Sequence, residues 1–181
     1  MELKDVKKIV PENLKNAVPE NLNELKENVQ QYASEKLPRD WEKKVPDAFE
    51  SFPKFISPEV HKWLDVSVAG YFGVLGAVFA FQGKKGAATA AFVNAGMVAG
   101  VSAFTDYRGD YEKPISFKLH GTLDAVQAAT AALAPVLHGF ADGPEAWFFY
   151  GQSINEAAVI AFTDWDEAER DQAALMEKSI A

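Results

Sequence analysis

Four apolar stretches dominate residues 61–163 and set the architecture of the chain. The cleanest is Gly86 to Thr105, twenty residues without a formal charge, preceded by the equally uncharged Val66 to Gly83. Gly121 to Ala141 follows, with Asp124 and His138 inside it, and then Ala146 to Thr163, with Gln152, Asn155 and Glu156 inside it. A membrane span takes roughly 20 mostly apolar residues at 1.5 Å rise each, and all four stretches are near that length. Their hydropathy is modest because Ala and Gly stand where Leu and Ile would be stronger. The second stretch is apolar or small around its whole circumference, whereas a two-layer soluble bundle needs a charged outer face. Small residues at Gly96-xxx-Gly100 and Ala95-xxx-Ala99-xxx-Ala103 predict close approach of helix backbones, and Gly70, Gly73 and Gly76 read as helix contacts too. The expected fold is all-α: a four-helix transmembrane bundle of two tandem hairpin repeats, preceded by short amphipathic or peripheral helices. A soluble Ala-rich helical bundle is the competing architecture.

The short connections, Lys84-Lys85, Asp106 to Pro114 and Asp142-Gly143-Pro144-Glu145, make neighbouring helices antiparallel. Lys54, Lys62, Arg108, Lys113, Lys118, Arg170 and Lys178 then fall on the side of the termini, against Lys84 and Lys85 opposite. The positive-inside rule puts both termini in the cytoplasm, which for a bacterial protein means spanning the inner membrane. The polar start, Met1-Glu2-Leu3-Lys4-Asp5, has no signal-peptide apolar core, so insertion is expected from the internal segments.

Residues 1–60 hold 22 of the 44 charged side chains, with prolines at 11, 19, 38, 46, 53 and 58. Val10-Pro11-Glu12-Asn13-Leu14 recurs as Val18-Pro19-Glu20-Asn21-Leu22, each Pro-Glu suiting the first turn of a helix. The longest expected helix there is Glu20 to Glu35, with Leu22, Leu25, Val29 and Tyr32 on one stripe. The domain reading is a cytoplasmic helical extension over 1–58, a membrane domain over 59–166 (repeat one 59–110, repeat two 118–166) and an acidic tail over 167–181 that continues the fourth helix.

The apolar stretches are duplicated. His61-Lys62-Trp63-Leu64-Asp65 matches His120-Gly121-Thr122-Leu123-Asp124, and Phe104-Thr105-Asp106-Tyr107 matches Phe162-Thr163-Asp164-Trp165; Asn94 corresponds to Gln152. Two-span repeats keep the same orientation, so His61, Asp65, Asp106, His120, Asp124 and Asp164 all fall at one boundary. Within each His-Asp pair, four-residue spacing shares a helix face. On these motifs, over roughly 55–165, the chain resembles the SPW-repeat family of small bacterial integral membrane proteins. Where the Ser-Pro-Trp of that family would fall, this chain has Ala134-Pro135-Val136 followed by His138-Gly139-Phe140. The resemblance implies a membrane protein without an established activity.

Charge and composition narrow the chemistry. The net charge of −8, with no basic cluster, argues against a nucleic-acid partner. Cysteine is absent, which removes disulfides, thiolate nucleophiles and thiolate-ligated metals. No phosphate-binding glycine loop, nucleophile elbow or zinc-helix motif is present. Two His and four Asp at one level suit Zn, Mn or Fe, or a proton path. The preferred reading is structural: Asp106 and Asp164 sit at helix C-termini, where a negative charge needs a partner, and a histidine of a neighbouring helix, Lys118 or Arg108 supplies it, while the adjacent Thr bonds the backbone. No metal, cofactor or catalytic residue is therefore expected. A second candidate is an intramembrane polar seam of Asn94, Gln152, Asn155 and Glu156, since acids within a membrane are functional candidates. The expected function is a non-enzymatic scaffold or accessory subunit that meets the lipid bilayer through its helices and a protein partner through residues 1–58. A small transporter or proton-conducting protein using Glu156 and the His/Asp cluster is the alternative.

Overall fold

The computed structural model describes residues 44–110 and 112–180. The expected Glu20–Glu35 helix and most of the 1–58 extension lie outside the described residues. From Glu42 onward the chain forms one compact unit. It is all-α, with six described helices: α1 (Lys44–Ala48), α2 (Pro58–Phe81), α3 (Lys85–Phe104), α4 (Phe117–Leu137), α5 (Ala146–Phe162) and α6 (Glu167–Ile180). Two-residue strands β1 (Thr105–Asp106) and β2 (Ile115–Ser116) pair in parallel between α3 and α4.

The helices start and stop for local reasons. Ser57 and Ser116 occupy the N-caps of α2 and α4, accepting from the Val60 and Leu119 amides, and Pro58 fills the first position of α2, where its missing N–H costs nothing. Both helices end in the same left-handed glycine turn. Gly83 has φ 74° with Lys84 N–H donating to Phe79 O; Gly139 has φ 71° with Phe140 N–H donating to Pro135 O. The two hairpins, α2/α3 and α4/α5, follow directly from these turns.

The other ends are extended. Thr105 and Thr163 leave the helix with ψ of 134° and 136°. Thr105 pairs with Ile115 and Thr163 with Ile56, and the Phe55 and Ile56 amides both donate to Phe162 O. The start of each hairpin is thereby stitched to the end of the other. This departure corrects the expectation that the acidic tail continues the fourth helix: Thr163 turns extended to pair with Ile56, and α6 is a separate helix. Lys54 caps the broken end, its ammonium donating to Ala161 O and Phe49 O.

The core has two centres. Phe72 and Phe149, fully buried and 5.3 Å apart between ring centroids, pack with Phe79, Phe140 and the alanines of α3 in the half toward the hairpin turns. Tyr107, Phe117, Ile160 and Trp165 form the second centre at the terminal end, with Val45 and Phe49 against it. Lys84 and Glu145 join the two hairpin turns at 2.8 Å. Close backbone approach occurs where Gly86 meets the His138 carbonyl, Gly76 meets the Phe92 ring and Gly121 meets the Trp165 indole. A Cβ at Gly70, Gly73, Gly96 or Gly100 would meet nothing within 4 Å. Gly96 and Gly100 are therefore not contact positions within the chain, contrary to the sequence expectation; the contacts of α3 fall on Ala87, Ala88, Ala90 and Ala91, with Ala95 packed against them.

Two of the described helices, α2 and α3, are long and apolar enough to cross a membrane. The other two apolar helices fall short of that test: α5 has 17 residues with Glu156 inside, and α4 carries Lys118, His120, Asp124 and Gln127.

Gly86→Ala drives a methyl into the His138 carbonyl oxygen and should lower stability by about 1–3 kcal/mol. Gly96→Ala, in open space within a helix, should be neutral or stabilise by up to about 1 kcal/mol. Thermal unfolding of the two purified variants, side by side, checks the contrast.

Candidate functional site: a buried His/Asp centre

The two stitched junctions bring the duplicated His-Asp pairs together. His61 and Asp65 lie one turn apart on α2, His120 and Asp124 on α4, and all four side chains are buried. His61 Nε2 is 3.1 Å from His120 Nε2 and 3.1 Å from Asp124 Oδ2; His120 Nε2 is 3.2 Å from both Asp65 Oδ2 and Asp124 Oδ2. His61 Nε2 to Asp65 Oδ1 is 3.5 Å. Four donor groups thus face a common point.

The opposite face of each ring is held by the threonine of the other hairpin. Thr163 Oγ1 is 2.8 Å from His61 Nδ1, and Thr105 Oγ1 is 2.8 Å from His120 Nδ1. Each hydroxyl also donates its single proton to the carbonyl four residues back, Val159 O and Val101 O, both at 2.7 Å. A hydroxyl has one hydrogen, so each threonine must accept from the imidazole, and Nδ1 carries the proton in both rings. Nε2 of both histidines therefore points into the centre.

The surroundings are aromatic. Tyr107 donates its hydroxyl to Asp65 Oδ2 at 2.6 Å and lies 2.8 Å from Ser102 Oγ. Burial, followed by the negative charge of Asp65, raises the phenol above its ordinary pKa, so it stays a donor. Trp165 sits beside His61 at 5.1 Å between ring centroids and sends its indole N–H to Ile160 O rather than to a carboxylate. Phe117 closes the terminal side, 5.5 Å from His61.

Of the six residues placed at one boundary by the sequence, His61, Asp65, His120 and Asp124 converge, whereas Asp106 and Asp164 do not join them. Asp106 accepts from the Arg108 and Gly109 amides. Asp164 accepts from the Asp166 amide and pairs with Arg170 at 2.6 Å, and that guanidinium holds its carboxyl below the usual range. The expected histidine partners of Asp106 and Asp164 are thus corrected: the histidines take the helix-start acids and the threonines. The physical reason is the extended exit at Thr105 and Thr163, which turns each following Asp into its own loop.

The polar seam also divides. Gln152 Nε2 donates to Glu156 Oε2 at 2.9 Å, both buried on α5. Asn94 accepts from Gln127 at 2.9 Å, and its own Nδ2 is buried without a hydrogen-bond partner among the described residues. Asn155 is exposed, yet it borders the same small cavity as Gln152 and Glu156. That cavity of about 20 Å³, bounded by His61, Asp65, Asp124, Gln152 and Glu156, has room for about one water.

Sequence reasoning missed the two threonines as histidine partners, Tyr107, and Gln127. The signal for the first was present: Thr recurs in both F-T-D endings, and Ile56-Ser57 recurs as Ile115-Ser116 five residues before each His. No family model, curated protein or solved structure matches the chain.

Replacing Thr105 or Thr163 with Val leaves a buried imidazole N–H without an acceptor and should cost about 1–3 kcal/mol each, with Ser restoring most of it. Asp106→Asn and Asp164→Asn, which keep an acceptor oxygen for the loop amides, should cost less than about 1 kcal/mol. Unfolding midpoints of the four variants separate the two groups.

Proposed function

We propose that the chain is a non-enzymatic integral membrane protein, a four-span bundle of two tandem hairpins with both termini cytoplasmic at a bacterial inner membrane. It serves as a scaffold or accessory subunit and engages a protein partner through residues 1–58. The observation that carries this reading is the inverted burial of the helices. In the most apolar windows of α2 and α3 only 17% and 33% of residues are buried. Phe81 is 95% exposed, Trp147 75% and Ile154 72%, while His61, His120, Asn94, Gln127, Gln152 and Glu156 are inside. In water each such apolar side chain forgoes about 1.5–3 kcal/mol of burial. Hydrocarbon reverses that sign and requires polar groups to pair internally. The resemblance to SPW-repeat proteins supports the same reading. So does the bonding of the His/Asp centre, whose groups face one another rather than an open cleft.

The lengths agree with a bilayer. At 1.5 Å per residue, α2 and α3 reach about 36 and 30 Å and α5 about 26 Å, against a hydrocarbon core of about 30 Å. The shorter α5 carries the exposed Trp147 at one end, a residue type enriched at membrane interfaces.

A second reading, a proton-conducting or small transport protein, is favoured by one observation: the water-sized cavity between the His/Asp centre and Glu156. Flux in proteoliposomes that falls with Glu156→Gln supports it; flux insensitive to that change removes it.

The chain has no cysteine, so single cysteines report topology without background. Lys85→Cys should react with an impermeant maleimide from outside intact cells, and Lys178→Cys only after permeabilisation. Release of the protein by carbonate wash, or equal labelling of both positions in intact cells, sinks the four-span reading.

A further inference from the structure

The geometry points to a divalent transition-metal site at the His/Asp centre: His61 and His120 through Nε2, and Asp65 and Asp124 through one carboxylate oxygen each, hold a single zinc-class ion between the two hairpins. Metal binding is independent of how the helices meet the bilayer, so this reading and the membrane reading stand or fall separately.

Size is the first argument. Zinc binds imidazole nitrogen and carboxylate oxygen at about 2.0–2.2 Å, usually in a tetrahedron. The edge of a tetrahedron is about 1.6 times its centre-to-corner distance, so ligand atoms should lie about 3.3–3.6 Å apart for those bond lengths. The three edges among His61 Nε2, His120 Nε2 and Asp124 Oδ2 are 3.1, 3.1 and 3.2 Å, and Asp65 lies 3.2 Å from His120 Nε2 through Oδ2 and 3.5 Å from His61 Nε2 through Oδ1. The nitrogen atoms of His61 and His120 and a carboxylate oxygen of Asp124 form a buried triad whose ligand atoms lie within 4.8 Å of one another, and Asp65 stands beside it with one oxygen toward each ring.

Tautomer is the second. The threonine hydroxyls fix the proton on Nδ1 of each ring, which leaves the Nε2 lone pairs aimed at one another and at two carboxylates. Two carboxylates beside these rings call for two positive charges. Protons supply them as two imidazoliums with Nε2 atoms 3.1 Å apart, or as one imidazolium beside one protonated carboxyl. One divalent ion neutralises both carboxylates and meets both lone pairs.

The supporting contacts are the third. Metal-bound histidines donate their other ring nitrogen to a fixed acceptor, and metal-bound carboxylates accept a further hydrogen bond. Thr163 and Thr105 play the first part for His61 and His120, and Tyr107 the second for Asp65. Nitrogen-rich, small and closed, the site suits Zn²⁺ or Co²⁺ better than Mg²⁺ or Ca²⁺, which take more oxygen ligands. With four protein ligands it is a structural site, each hairpin contributing one His and one Asp, and the ion cross-links the two.

The test uses the full chain, purified in detergent with any affinity tag removed, stripped by chelator and dialysed against Zn²⁺ or Co²⁺. About one equivalent of bound zinc by elemental analysis is expected, with a rise in melting temperature, and the Co²⁺ form should show the intense visible bands of a tetrahedral site. Asp65→Asn combined with Asp124→Asn should abolish both signals. Should that variant fail to fold, Thr105→Val with Thr163→Val keeps every ligand and should weaken Co²⁺ affinity by roughly 10–100-fold. Stripped wild-type protein that remains helical by circular dichroism but takes up no Zn²⁺ or Co²⁺ overturns the site. So does Co²⁺ affinity unchanged in the double threonine variant.

Discussion

The structure depends on an exchange: the histidine that begins each hairpin is held by the threonine that ends the other. A buried imidazole must satisfy two nitrogens, and a threonine at a helix C-terminus must place one hydroxyl. Each residue solves the other's problem only if α2 lies beside the end of α5 and α4 beside the end of α3. The parallel pairings of Ile56 with Thr163 and of Ile115 with Thr105 fix the same two junctions through the backbone. Side-chain and main-chain bonds thus specify one register, and Gly86 against the His138 carbonyl, with Lys84 against Glu145, keeps it at the far end. A slip of one residue along either helix would move an imidazole about 100° around the axis and orphan both partners.

The distribution of polarity follows from that centre. The polar side chains converge inside, and the hairpin cores need only small and aromatic residues: alanines on α3 and α4, phenylalanines 72, 79, 140 and 149 between them. Helices packed on alanine approach closely and bury few large side chains of their own. The larger apolar groups, among them Phe81, Val74, Leu137 and Ile154, are left on the outside. Inverted burial and a buried polar lock are two aspects of one arrangement: in an apolar surrounding, burial no longer drives association and internal hydrogen bonds and close packing do.

Helix existence was legible in the sequence because charge-free runs and glycine-proline punctuation are local signals. Ala146 to Thr163 and Gly86 to Thr105 were read within a residue of α5 and α3. The duplication was legible because matching motifs share one offset. Pairing was not. The acids after Thr105 and Thr163 looked like the orphans that need histidines, since a charge at a helix C-terminus is unfavourable; the backbone instead leaves the helix one residue earlier and gives those acids loop amides. Whether a chain exits as helix or strand depends on what it finds there: for Thr163 this is Ile56, on the far side of both hairpins in sequence, and for Thr105 it is Ile115, just across the connecting loop. The Gly96-xxx-Gly100 contact failed for a related reason: periodicity shows that Gly96 and Gly100 share a face and cannot say which face meets a neighbour.

The two halves match where they meet and differ where they do not. His61 and His120, Asp65 and Asp124, Thr105 and Thr163, and the capping Ser57 and Ser116 are identical pairs, all at the shared centre. One step outward the pairs diverge: Tyr107 against Trp165, Val98 against Glu156, Val68 against Gln127. Tyrosine reaches Asp65 with a hydroxyl, but the larger indole bonds its own helix at Ile160 and fills the space over Gly121, so Asp124 has no phenol. Glu156 then stands on the side where the cavity opens beside Asp124. Identity at the centre is what an ion or a bond network shared equally by two halves requires. Both acids border the water-sized space, but asymmetry around the centre gives Asp65 alone a phenol donor, so the two acids, equal in sequence, are unequal in what they can bind or exchange.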